Sequence, residues 1–207
     1  MAFLLATALL VACGGPDATA EDRAYEEYEG GVQLEERGNL TKAFEAYSRA
    51  IELDRRLAIA YSARAHVYFL HDNLGLALVD VNNAVELDAD LAVAHLNRGL
   101  ILAGGDNEED ALLSFSKAIQ LDPSLRDAYY GRARLYYEAD DLEGAIEDLS
   151  SAIEISPKTA SLYLTRGQVY VSSGDTANAV ADLERVLALS EDAALVVAAR
   201  QLLSLVQ

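Results

Sequence analysis

Between Arg126 and Thr159 the chain reads RDAYYGRARLYYEADDLEGAIEDLSSAIEISPKT, and its apolar positions take up a helical period twice. Tyr129, Ala133 and Tyr136 stand at i, i+4 and i+7, one face of a helix, and Ile146, Leu149 and Ile153, at i, i+3 and i+7, mark one face of another after a polar break. Within the break, Asp140 or Asp141 can cap the second helix with a side-chain oxygen. Ser156-Pro157 ends that helix, because proline disfavours the helical conformation in the residue before it. The pattern predicts a helical hairpin.

The hairpin recurs with a period of 34. Gly31, Ala65, Gly99, Ala133 and Gly167 keep that spacing, as do Ala43, Ala77, Ala111, Ala145 and Ala179, and a third series runs Ala50, Ala84, Ala118, Ala152 and Val186. Small side chains let helix backbones approach, so the series mark helix crossings. Large residues hold the same register: Tyr61, Tyr129 and Tyr163 match His95, while Tyr68, Tyr136 and Tyr170 match Leu34 and Leu102. In period, helix-turn-helix unit and small/large pattern the chain resembles the tetratricopeptide repeat family from Ala24 to Ala193.

That resemblance implies an all-α fold, a right-handed α-solenoid of five hairpins over 24–57, 58–91, 92–125, 126–159 and 160–193, with 194–207 as a capping helix. The first unit departs from the rest. It has Glu27 and Gly30 where later units carry an aromatic residue or His and then Arg64, Arg98, Arg132 or Arg166, which suits a solvent-facing end. Only Pro123 and Pro157 keep the proline the family often places after its second helix.

Charge narrows the partners. With 34 acidic against 16 basic residues the net charge is −18, and the few Lys and Arg are interleaved with carboxylates, so no basic stripe exists for nucleic acid. The acidity reads as a solvated face that keeps the protein soluble.

Residues 2–12, AFLLATALLVA, are too short an apolar run to cross a bilayer as a helix but suit the hydrophobic region of a secretory signal. The run ends in Leu10-Val11-Ala12-Cys13, which resembles the lipobox of bacterial lipoproteins. By that resemblance 1–12 is a signal peptide, Cys13 becomes the acylated first residue, and 13–23 is a flexible tether that reaches at most about 35 Å. No Lys or Arg precedes the run, and the alternative is a buried first helix with a core cysteine. Gly14 after the cysteine favours the outer membrane by the sorting rule of two-membrane bacteria.

A second stripe runs beside the packed face of each first helix. It comprises Tyr28, Ile59, His66, Phe69, Val93, Leu96, Asn97, Leu100, Tyr130, Arg134, Tyr137, Leu164 and Gln168, and is largely apolar or aromatic where an isolated surface helix would be polar. In proteins similar to this one the first helices line a concave groove, so the stripe is read either as a binding groove for a peptide or helix segment, or as burial against neighbouring repeats. A clamp for a C-terminal carboxylate, another mode of the family, needs Lys, Arg and Asn there. Asn97 and Arg134 alone do not build one.

Arg64, Arg132 and Arg166 have a carboxylate sixteen residues on, at Asp80, Asp148 and Asp182, which suggests structural ion pairs; Ser114 breaks the series for Arg98. Catalysis finds no footing. His66 and His71 are on different helix faces, His95 fills a tyrosine position, and the GGDNEED run at 104–110 lacks the alternating ligands of a calcium loop. No cofactor or metal is expected. ALVVAARQLLSLVQ at the end carries Leu195, Ala199, Leu202 and Val206 on one side, a cap; Val196, Val197, Leu203 and Leu205 make it apolar elsewhere too, which leaves a homodimer contact open.

The sequence therefore reads as a non-enzymatic protein-interaction scaffold in a bacterial envelope, bound to the membrane only through its lipid. The alternative is a soluble cytoplasmic adaptor whose leader is misread.

Overall fold

A computed structural model describes residues 19–206, so the expected signal peptide and Cys13 lie outside the described residues. Eleven α-helices follow one another, and no strand occurs among the described residues: α1 (Ala20–Glu36), α2 (Leu40–Leu53), α3 (Ala58–Leu70), α4 (Leu74–Leu87), α5 (Ala92–Gly104), α6 (Glu108–Leu121), α7 (Arg126–Glu138), α8 (Leu142–Ile155), α9 (Ala160–Ser173), α10 (Thr176–Leu189) and α11 (Ala193–Val206). Each packs on the next, most extensively within the pairs α1–α2, α3–α4, α5–α6, α7–α8 and α9–α10. Alternate helices also touch, α3 with α5, α5 with α7 and α9 with α11. The result is an all-α solenoid of five hairpins with α11 laid against the last.

One boundary differs from the sequence reading. Helix α1 begins at Ala20, inside the segment read as tether, because Thr19 and Asp22 form a capping box. The Asp22 amide donates to Thr19 Oγ1 at 3.1 Å and the Thr19 amide to Asp22 Oδ2 at 2.9 Å, which satisfies two end groups at once.

The turn inside each hairpin repeats two residues. Gly38, Asp72, Asp106, Asp140 and Gly174, spaced by 34, have φ of 74°, 59°, 57°, 62° and 78°, the left-handed region that ends one helix and reverses the chain. The next residue, Asn39, Asn73, Asn107, Asp141 or Asp175, is the N-cap of the second helix. Asp141 accepts from the Gly144 amide at 3.0 Å, so Asp141 caps α8 while Asp140 makes the turn. Between hairpins Asp54, Asp88 and Asp122 take the amide two residues on, at 2.8, 3.0 and 2.9 Å, and fold the chain into the next first helix.

The core is a ladder of small against large. Sixteen residues after each small residue stands a fully buried large one: Tyr47, Val81, Phe115, Leu149 and Leu183. Gly31 lies under the Tyr47 ring, and a Cβ on Gly99 would stand 2.6 Å from Phe115. Aromatic rings fit here because glycine leaves the space a methyl group would fill.

The arginines stitch these layers together. Arg64, Arg132 and Arg166 form forked pairs with Asp80, Asp148 and Asp182, each with two hydrogen bonds of 2.7–2.9 Å. The remaining nitrogen donates back to the preceding hairpin, to Ser48, Ser116 or Ser150 at 3.3, 2.9 and 2.8 Å. The Asp148 carboxylate hydrogen-bonded to its fork, despite burial, holds Arg132 above the usual arginine value, and Asp182 does the same for Arg166. Arg98 has only the backward bond, to Asn82 at 3.1 Å: Ser114 stands where the other hairpins carry the aspartate, and its hydroxyl donates to the Asp110 carbonyl.

Candidate functional site: a groove along the first helices

A cavity of about 520 Å³ opens along four successive first helices. Tyr28, Val32, Glu35 and Glu36 come from α1, Ile59, Ser62, Ala63 and His66 from α3, Val93, Leu96, Asn97 and Leu100 from α5, and Asp127 and Tyr130 from α7; Tyr47 of α2 reaches in between. Helical periodicity places these residues together, since positions on one face of each first helix are carried forward by every repeat.

The groove thus gathers Tyr28, Ile59, His66, Val93, Leu96, Asn97, Leu100 and Tyr130 from the sequence-derived stripe. Leu96 and Asn97 are buried, whereas the other six are half-buried, so the stripe serves packing and surface together. Phe69 and Arg134 line a smaller neighbouring cavity of about 150 Å³ with Leu100 and Glu138. Arg134 is exposed and reaches Glu138 at 3.4 Å. Tyr137 lies within 3.0 Å of Ser172 Oγ on α9, Leu164 packs into the cluster around Leu183, Val186 and Ala199, and Gln168 is exposed; none of the three lines the main groove.

Asn97 has a structural task. Its amide nitrogen donates to the Ser62 carbonyl at 3.1 Å and to Ser62 Oγ at 3.0 Å, tying α5 to α3. His95, on the opposite side of α5, is buried, with Nε2 2.9 Å from the Ala89 carbonyl. Tyr163 donates to the Pro157 carbonyl, also six residues back, at 3.1 Å, so histidine and tyrosine exchange at this position because both reach the same type of acceptor.

The polar centre of the groove was not read from the sequence. Glu35 Oε2 accepts the Tyr47 hydroxyl at 2.6 Å, and Glu35 Oε1 lies 2.7 Å from His66 Nδ1. An ionised carboxylate only accepts, so Nδ1 carries the proton of this bond. Burial pushes the Glu35 carboxyl up, but the bonds from His66 and Tyr47 outweigh it and hold it below the ordinary carboxylate value. Burial, reinforced by the Glu35 carboxylate, pushes the Tyr47 phenol far above its usual range.

A signal for Glu35 was present in the repeat. Its counterparts at 34-residue steps are Phe69, Ala103, Tyr137 and Val171, so Glu35 alone is charged there. Asp127 is marked the same way, following Tyr25, Ile59 and Val93.

Groups of three or more His, Cys, Asp or Glu able to hold a metal ion do not occur among the described residues. No described helix is long and apolar enough to cross a membrane.

Two family profiles match the chain, one described as TPR repeat over residues 33–72 and 133–174, the other as tetratricopeptide repeat over 160–192. No curated protein matches. Among solved structures, pilF of Pseudomonas aeruginosa is 18% identical with a TM-score of 0.78, covering 90% of this chain and 90% of its own. TTC0263, a thermophilic TPR protein of Thermus thermophilus, is 18% identical with a TM-score of 0.72, covering 87% and 99%. YrrB, described as a TPR protein with an unusual peptide-binding site, is 20% identical with a TM-score of 0.65, covering 86% and 92%. At these identities the likeness extends to the fold.

Proposed function

The chain carries tetratricopeptide repeats, and from that premise we propose that it is a scaffold that binds segments of other proteins in the groove along α1, α3, α5 and α7. The observation that carries this reading is the groove itself. Half-buried apolar side chains from consecutive repeats, chiefly Ile59, Val93, Leu100 and Tyr130, form a continuous wall that no other part of the described chain covers. An apolar wall of that length matches the way an amphipathic segment is held in a groove. A peptide-binding site is reported for YrrB, which shares the fold.

The scaffold works at a bacterial envelope membrane, held by a lipid on Cys13. This part of the proposal rests on the LLATALLVAC leader, whose apolar run is followed by a polar segment containing Gly and Pro. Two or more acyl chains make a stable anchor where one does not.

Two measurements test the parts separately. A photo-crosslinker at Ile59, in the native host, should trap a partner that the Val93→Ala and Tyr130→Ala double variant no longer traps, with helicity unchanged; equal trapping would remove the groove from the proposal. Metabolic labelling with a palmitate analogue should mark the wild type and not Cys13→Ser, which should leave the membrane fraction. Label on neither protein would remove the anchor and leave the groove standing.

A further inference from the structure

The charges of the groove are unevenly placed. Its middle, from α3 and α5, is walled by Ile59, Val93, Leu96 and Leu100, while Glu35 and Glu36 stand together in the last turn of α1. No Lys or Arg lines the groove. At the far end Asp127 is partly offset by Arg126, 2.6 Å away, so the uncompensated negative charge sits at the α1 end. Glu35 faces His66 of α3 and Tyr47 of α2, and its carboxyl is held in the charged form; Glu36 is exposed and makes no ion pair among the described residues.

Resting on the groove reading above, we infer that the segment bound there is apolar along its middle and carries Lys or Arg where it meets the last turn of α1. An acidic segment would place its carboxylates against Glu35 and Glu36, and a wholly apolar one would partly desolvate both carboxylates and leave Glu36 without a partner. A basic terminus instead completes the charge pattern, and its contribution lies in discrimination between partners and in encounter rate more than in overall affinity. The acidity of the chain has, on this inference, a local use beyond solubility.

The test uses two short fluorescein-labelled amphipathic peptides that share a leucine stripe and end either in Lys-Lys or in Glu-Glu, titrated by anisotropy at low salt against the 207-residue chain. The lysine peptide should bind about tenfold more tightly. Glu36→Lys should abolish that advantage, whereas Glu147→Lys, an exposed charge reversal on α8, should keep it. Equal loss with both variants would trace the preference to net charge and overturn the inference. If the Ile59→Ser and Val93→Ser double variant weakens both peptides in that case, the groove reading survives. Absent binding, or binding that this double variant leaves unchanged, would overturn the groove reading and the inference with it.

Discussion

The Tyr47 hydroxyl donates a 2.6 Å hydrogen bond to Glu35, and each residue is the exception at its own place in the repeat. Where Tyr47 stands, the other hairpins carry Val81, Phe115, Leu149 and Leu183; where Glu35 stands, they carry Phe69, Ala103, Tyr137 and Val171. A carboxylate beside an apolar core would be costly alone. The phenol that fills the space left by Gly31 also supplies the donor that Glu35 requires.

Tyr47→Phe should therefore destabilise the chain by about 1–2 kcal/mol at neutral pH while keeping the ring in place, since a hydrogen bond to a charged group is lost. The effect should depend on pH. A carboxyl held below its ordinary value contributes stability that is present above the unfolded value of 4.5 and is lost as pH falls through the folded one. Urea unfolding of both proteins should show the gap between them shrinking below that value.

Arg132 makes three charge-assisted or polar bonds across two hairpins, and Asp148 is buried. Asp148→Ala should cost about 3 kcal/mol, because it strands a half-buried guanidinium, and Ser116→Ala only about 0.5–1 kcal/mol. Ser114→Asp supplies the carboxylate that Arg98 lacks and should raise stability by about 1 kcal/mol in thermal unfolding.

Phe115 is held between two glycines. A Cβ on Gly131 would stand 2.5 Å from its ring and one on Gly99 2.6 Å, both closer than any tolerated contact. Gly131→Ala should destabilise by about 1–3 kcal/mol through overpacking, and adding Phe115→Leu should recover part of that loss. Differential scanning calorimetry of the two variants decides it.

Asp106 occupies the left-handed turn position that Gly38 and Gly174 occupy in the end hairpins. Asp106→Gly relieves the strain at φ 57° and should leave the melting temperature equal or raise it, by no more than about 1 kcal/mol in stability. Asp106→Val, whose branched side chain resists that conformation, should lower it.

The repeat was legible because it is written in periodic small residues, and a period survives the replacement of any one side chain. The arginine and aspartate partners were legible for the same reason, recurring sixteen residues apart. Their serine partners, Ser48, Ser116 and Ser150, were not, since a hydroxyl sixteen residues before an arginine has no meaning until the previous hairpin is folded against it. The groove was half legible. Its apolar wall follows the period, but Leu164 and Gln168 satisfy the same period and lie elsewhere, because α11 packs on α9 and claims part of its surface. Glu35 and Asp127 were not legible because each breaks the period that its uncharged counterparts in the other hairpins keep.

Every interior hairpin but one is riveted by a forked, nearly buried ion pair, and the exception is the third, where Arg98 holds only Asn82. That hairpin contributes α5 to the middle of the groove. The array should consequently be stiffer on either side than at its centre, like a clasp with a soft spine, with amide hydrogen exchange opening α5 and α6 before their neighbours. In the scaffold proposed above, partners of different girth would be accommodated by bending of the backbone at one place, with the wall of side chains left in register.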